Sequence, residues 1–117
     1  LFPKIIEAHK FLENNSISKL EVFEVHPELS FMAMNDMRLI EASKKTDIGK
    51  KIRIKLIQKF FPNFSFELVR NQYKKNQVLD DDILDSISVL WSTQRIVDNI
   101  AQFVPKDPEK INMKIYF

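Results

Sequence analysis

Four carboxylates, Asp80, Asp81, Asp82 and Asp85, crowd the front of the stretch VLDDDILDSISVLW (78–91). On a helix, Asp81 and Asp85 stand i, i+4 and Asp82 and Asp85 stand i, i+3, so either pair can reach one ion. Oxygen donors of this kind suit magnesium or manganese, hard cations that keep part of their water shell. A second explanation needs no metal. Acids in a first helical turn interact favourably with the helix dipole by about 0.3–1 kcal/mol, and Asp80 is placed to act as a cap. The residues alone leave both explanations standing.

Other groups could join such a site. Glu24, His26 and Glu28 alternate through EVHPE, with His26 suited to ligation, to general-base work or to a hydrogen bond that ties a turn. Lys44 and Lys45 precede a predicted helix start, where two ammoniums beside free backbone N–H groups favour phosphate. Ser30, Ser43 and Thr46 have no partners at nucleophile spacing, so a hydrolase triad is not indicated. The chain has one glycine, Gly49, which excludes a glycine-rich nucleotide loop, and no cysteine, which excludes disulfides and thiolate metal sites.

The elements that must position these groups follow from periodicity. LFPKIIEAHKFLENN opens with Pro3 at a first helical turn and an apolar side of Ile5, Ile6, Phe11 and Leu12; His9 reads as surface. Leu20, Val22, Phe23 and Val25 predict a short strand covered on both faces, stopped by Pro27, which opens a short helix through Glu28, Leu29, Phe31 and Met34. Glu24, His26 and Glu28 thus fall at the C-terminal end of that strand, where open α/β sheets build sites. After a loop, Ser43 or Thr46 caps a helix carrying Ile48, Ile52, Leu56, Ile57 and Phe60, ended by Pro62. A short helix over 65–73 and a polar KKNQ loop lead to the longest helix, expected over 79–104. Its narrow polar stripe of Asp81, Asp85, Ser88, Ser92, Arg95 and Asn99 leaves the rest apolar and predicts packing over most of its surface, with Asp82 turned toward packed side chains. Ile111, Met113, Ile115 and Phe117 alternate in a closing strand with one covered face. The expected fold class is α/β, about two strands with four to five helices, in a single domain over 1–117.

The formal charge of +2 is too small to announce nucleic acid, but Lys44, Lys45, Lys50, Lys51, Arg53, Lys55 and Lys59 gather in one segment. Such a run tracks phosphates or forms the solvated face of a helix. No apolar run approaches the roughly 20 residues that span a bilayer, so no membrane partner is expected, and the missing cysteines suit a reducing cytoplasmic setting.

EVHPELSF, then SKKT with Gly49 three residues on, then DDILDSISVLW followed by Arg95, and the closing INMKIYF together resemble the uncharacterised family called domain of unknown function 429. The order and spacing agree over nearly the whole chain. The resemblance implies a ribonuclease-H-like fold and a metal-dependent nuclease, with magnesium or manganese as cofactor. It implies Glu24, His26 and Glu28 as one side of the site, Lys44 and Lys45 as its basic loop, and Asp81, Asp82 and Asp85 as its acidic helix. That helix is also similar to the acidic C-terminal helix of Holliday-junction resolvases. The glycine-rich first strand of such proteins, with its aspartate, has no counterpart here, so the chain reads as the C-terminal half of the domain. By itself it is expected to be inactive, with nucleic acid as a partner of the parent protein and self-association through an exposed sheet edge. The alternative is a non-catalytic nucleic-acid- or protein-binding scaffold.

Overall fold

Two helix starts in this protein follow hydroxyl oxygens placed where free backbone N–H groups need acceptors. A computed structural model describes residues 2–14, 22–106 and 114–117. It contains α1 (Phe2–Asn14), β1 (Glu24–Val25), α2 (Pro27–Met34), α3 (Asp47–Phe60), α4 (Phe66–Arg70), α5 (Asp80–Val97), β2 (Phe103–Val104) and β3 (Ile115–Tyr116). Thr46 caps α3 by accepting from the Gly49 N–H at 3.0 Å, and Ser65 caps α4 by accepting from the Leu68 N–H at 3.3 Å. Of the two caps expected for α3, Ser43 and Thr46, it is Thr46 that serves. Pro27 occupies the first turn of α2, where its missing N–H costs nothing.

The class is mixed α/β, five helices and a small three-stranded sheet among the described residues. The strand order is β1-β3-β2, with β1 parallel and β2 antiparallel to β3. β2 is a strand that periodicity assigned to the tail of the last helix. That helix stops at Val97, seven residues short of its expected end. Asn99 takes the left-handed conformation (φ 59°), and the N–H groups of Ile100 and Ala101 both donate to the Arg95 carbonyl, closing the C-terminus. Phe103 and Val104, strand formers, then pair with Tyr116 and Ile115. β1 lies at the sheet edge, with Val22 and Phe23 before it exposed, so the expected strand covered on both faces is not found there. Leu20, Ile111 and Met113, also expected in strands, lie outside the described residues.

The core joins α2, α3, α4 and α5 through Phe31, Met34, Ile57, Phe66, Ile83, Leu84 and Trp91. Burying each such side chain contributes about 1.5–3 kcal/mol. The face α5 turns inward includes its polar stripe. Ser88 and Ser92 are fully buried, and Ser92 Oγ shares a 2.7 Å hydrogen bond with Ser30 Oγ of α2, while Leu90 and Val97 are exposed. Small hydroxyls allow the two helices to approach closely and satisfy each other, so the stripe is an inward seam. This reverses the expectation of apolar packing around most of α5. The helix α1 is exposed along its length, stitched by Lys4–Glu7 and His9–Glu13 pairs.

Candidate functional site

The seam that buries Ser88 also points Asp81 and Asp85 inward, one turn apart, toward the loop that enters α3. Lys44 and Lys45 are delivered there by a tight turn: Thr46 N–H donates to the Ser43 carbonyl at 3.0 Å, and Thr46 Oγ1 donates to the same carbonyl at 2.7 Å. Gly49 makes this possible. A Cβ at that position would lie 1.9 Å from the Ser43 carbonyl oxygen, so only glycine allows the first turn of α3 to sit against the loop.

Lys44 Nζ donates to Asp85 Oδ2 at 2.7 Å and lies 3.8 Å from Asp81 Oδ2; Lys45 Nζ donates to Asp81 Oδ2 at 2.7 Å. The Asp81 and Asp85 side chains are only 11% and 19% exposed. Asp85 Oδ1 is buried with no hydrogen-bond partner among the described residues, an unusual condition for a carboxylate oxygen. Beside them, Asp80 accepts from Arg70 at 2.8 Å and Lys50 at 3.2 Å. Asp82 faces solvent, and its Oδ2 accepts from the Leu79 N–H at 2.9 Å, capping α5. The expectation that Asp82 points into packed side chains is corrected by that bond, which uses one of the free amides of the helix start. Capping and site formation are thus divided among neighbours: Asp82 caps, Asp80 ties α5 to α3 and α4, and Asp81 and Asp85 face the lysine pair.

Glu28 is held by Arg53 through two bonds, Nη2 to Oε2 at 2.7 Å and Nε to Oε1 at 3.2 Å. Arg53 belongs to the basic run but is only 2% exposed, and its Nη1 also donates to the carbonyls of Ala42 and Gly49. It clamps the loop preceding Lys44 onto α3 and α2. Periodicity could not separate this arginine from the exposed Lys51, Lys55 and Lys59 around it. Glu24 and His26 are exposed at the end of β1; the His26 carbonyl accepts from Leu29 and Ser30 N–H groups and so starts α2. Among the described residues no three histidine or acidic side chains converge as a metal-binding group.

Alongside the lysine pair lies an open cleft of about 310 Å3. Lys44, Lys45, Lys50, Arg70 and Lys75 reach it, with Asp47, Asp80 and Asp81. The N-termini of α3 and α5 both border it, adding partial positive charge. The sequence signalled Lys44 and Lys45 but not Arg70 or Lys75, whose membership comes from how α4 and the following loop fold back.

The ion pairs bias titration. The Lys45 hydrogen bond holds the Asp81 carboxyl below its ordinary value of 3.8, against the opposing effect of burial. For Asp80 burial is the largest influence and works upward, but hydrogen bonds from Arg70 and Lys50 and their charges more than offset it, so its pKa is also lowered. Lys44 is raised above 10.5, chiefly by its hydrogen bond to Asp85. Lowered acids stabilise the fold above the ordinary carboxylate value and lose that contribution as pH falls through their lower folded-state values. Raised Lys44 stabilises below 10.5 and loses its contribution as pH rises through its folded-state value. Stability is therefore expected to be flat through neutral pH and to drop below about pH 4, and Asp81→Asn should flatten that acid limb in urea titrations. An acid limb identical in the variant would show that the Asp81 pair contributes nothing to folding.

No described helix is long and apolar enough to cross a membrane. A family model described as Protein of unknown function (DUF429) matches residues 1–110. No curated protein and no solved structure matches the chain.

Proposed function

The chain belongs to the family described as Protein of unknown function (DUF429), and from that premise we propose that its full-length form is a metal-dependent nuclease or other phosphodiester-processing enzyme of ribonuclease-H-like fold. One observation carries the reading: Asp81 and Asp85, on successive turns of a buried helix face, meet the Lys44–Lys45 loop at the edge of a basic cleft, and Asp85 Oδ1 is buried without a partner among the described residues. Asp81 and Asp85 would be the residues to hold a magnesium or manganese ion, although Lys44 and Lys45 occupy one oxygen of each. Both offer hard oxygens, one of them free of any donor, and magnesium is commonly held by one or two carboxylates, with water and substrate phosphate completing its shell. When bound, such an ion neutralises charge on a phosphodiester and activates water.

The roles of the chain's own residues follow. Lys44 and Lys45 bind and orient the phosphate, and the α3 N-terminus supports the same charge. Arg53, with Glu28, fixes the loop that carries them. Asp82 holds the start of α5 in place. Glu24 and His26, exposed at the end of β1, do not line the cleft and are given no role in it.

A second reading, a non-catalytic nucleic-acid-binding scaffold, is favoured by the completeness of the ion pairing at Asp80 and by the capping role of Asp82. Those acids need no metal to explain them. Cleavage assays with magnesium and manganese on labelled RNA, duplex DNA and a branched junction separate the two readings, run on this chain and on its full-length parent. Turnover by the parent that falls at least about a hundredfold in Asp81→Asn, Asp85→Asn supports the enzyme. Steeply salt-dependent binding without turnover in either form supports the scaffold.

A further inference from the structure

We propose that the open face of the small sheet, where Phe23, Phe103 and Tyr116 meet beside Asn99, takes an unpaired base of a single-stranded nucleic acid. The proposal rests on the nucleic-acid reading shared by the enzyme and the scaffold above, not on a bound metal, and adds the form of the substrate.

Strand alternation builds this face. Phe117 is buried, 3% exposed, so its neighbour Tyr116 turns to the opposite side of β3. Tyr116 pairs with Phe103 of β2 on one flank and with Val25 of β1 on the other. Phe23, two residues before Val25, reaches the same side, so three neighbouring segments contribute one ring each. Phe23 and Tyr116 meet edge to face at 5.0 Å and 85°, and Phe103 leans on Tyr116 at 5.6 Å and 49°. No pair is parallel, so no two rings stack fully and a flat partner finds open ring surface; Phe23 alone is 39% exposed.

With Ile96, Asn99 and Ala101 the rings line a cavity of about 300 Å3, at the lower end of the range for small-molecule sites. Strand propensity accounts for the rings alone. The polar groups beside them are unengaged: the Asn99 carboxamide and the Tyr116 hydroxyl make no hydrogen bond among the described residues. A carboxamide offers a donor and an acceptor side by side, the complement of a base edge. Lys114 Nζ stands 4.7 Å from the Phe103 ring centre and sets a positive charge beside the rings for the backbone phosphate. Rings for stacking, an amide for the edge and a cation for the phosphate are the means by which proteins hold single strands. A duplex keeps its base faces stacked inside and cannot offer them. The cavity lies at the C-terminal end of α5 and the basic cleft at its N-terminal end, roughly 27 Å apart along the helix, so its residues can be changed without touching the cleft.

Fluorescence anisotropy of the purified chain with labelled single-stranded decamers of RNA and DNA, and with an abasic decamer, tests this. Wild type should bind a base-bearing strand about tenfold more tightly than the abasic one. Phe23→Ala should remove most of that difference and leave abasic binding unchanged. Asn99→Gly keeps the left-handed backbone (φ 59°), should act in the same way, and serves if Phe23→Ala does not fold. The Asn99 side-chain amide resonances should shift with the base-bearing strand and stay in place with the abasic one. Equal affinity for the two kinds of strand overturns the proposal, as does a difference that persists in both variants. A nucleoside monophosphate that binds as tightly as the decamer overturns the strand as occupant and puts a free nucleotide in its place. Failure of the underlying reading looks different: no strand, base-bearing or abasic, binds at all.

Discussion

Arg53→Met is expected to lower unfolding free energy by about 3 kcal/mol, enough to reduce the melting temperature by roughly 10 °C. The guanidinium is buried and makes four hydrogen bonds, two to Glu28 and one each to the Ala42 and Gly49 carbonyls. Methionine fills most of the volume but removes the donors of the Ala42 carbonyl and the Glu28 carboxylate, while the Gly49 carbonyl keeps its bond within α3. Breaking a buried pair from one side costs about 3–5 kcal/mol. Glu28 is 35% exposed and can regain water, which places the effect at the lower end of that range. Glu28→Gln should cost much less, since Arg53 keeps its carbonyl partners and a neutral acceptor. Urea unfolding of both variants checks the claim, and equal losses would mean that the salt bridge, not the carbonyl clamp, carries the stabilisation.

Gly49→Ala should cost about 1–3 kcal/mol and loosen the lysine–aspartate pairs together with the fold. On an ordinary helix, alanine for glycine gains up to about 1 kcal/mol. Here the new Cβ would meet the Ser43 carbonyl oxygen at 1.9 Å and its carbon at 2.6 Å, atoms of the backbone that rotamer changes cannot move. The loop must retreat, taking with it Lys44 and Lys45. The substitution therefore tests whether the turn positions the site. Stability and manganese binding should change together, whereas a variant of greater stability and unaltered binding would show that the close approach is not required.

The two variants probe the parts of the structure that the sequence conceals. Thr46, one of the two caps the sequence offered, and Pro62 just beyond α3 were legible because such signals are local, whereas at α5 the capping falls to Asp82 and not to the expected Asp80. Arg53 was not, because burial of one charge within a basic run is decided by Glu28, 25 residues away. The inward seam of α5 was hidden for a related reason. Ser88 and Ser92 look like solvent-facing polar positions until Ser30 is known to meet Ser92 from α2, at which point their small size explains the close packing. The end of α5 was misplaced since Ile96, Val97, Ile100, Phe103 and Val104 continue an apolar spacing that fits either helix or strand. Asn99 in the left-handed region decides between them. At the site, spacing offered Asp81 with Asp85 and Asp82 with Asp85 alike as carboxylate pairs, beside Lys44 with Lys45. It did not show that the pairs face one another, which follows from the fold of the 42–46 loop.

The roles of the four aspartates now separate by direction. Asp82 caps, Asp80 fastens three helices at one corner, and Asp81 with Asp85 meets Lys44 and Lys45. The most direct measurement is a crystal structure of the chain grown with manganese and dimethyl phosphate, using anomalous scattering to locate the metal. The expected result of the metal reading is an anomalous peak at coordination distance, roughly 2.0–2.6 Å, from oxygens of both Asp81 and Asp85. No anomalous density between the two carboxylates at saturating manganese and diester would contradict that reading.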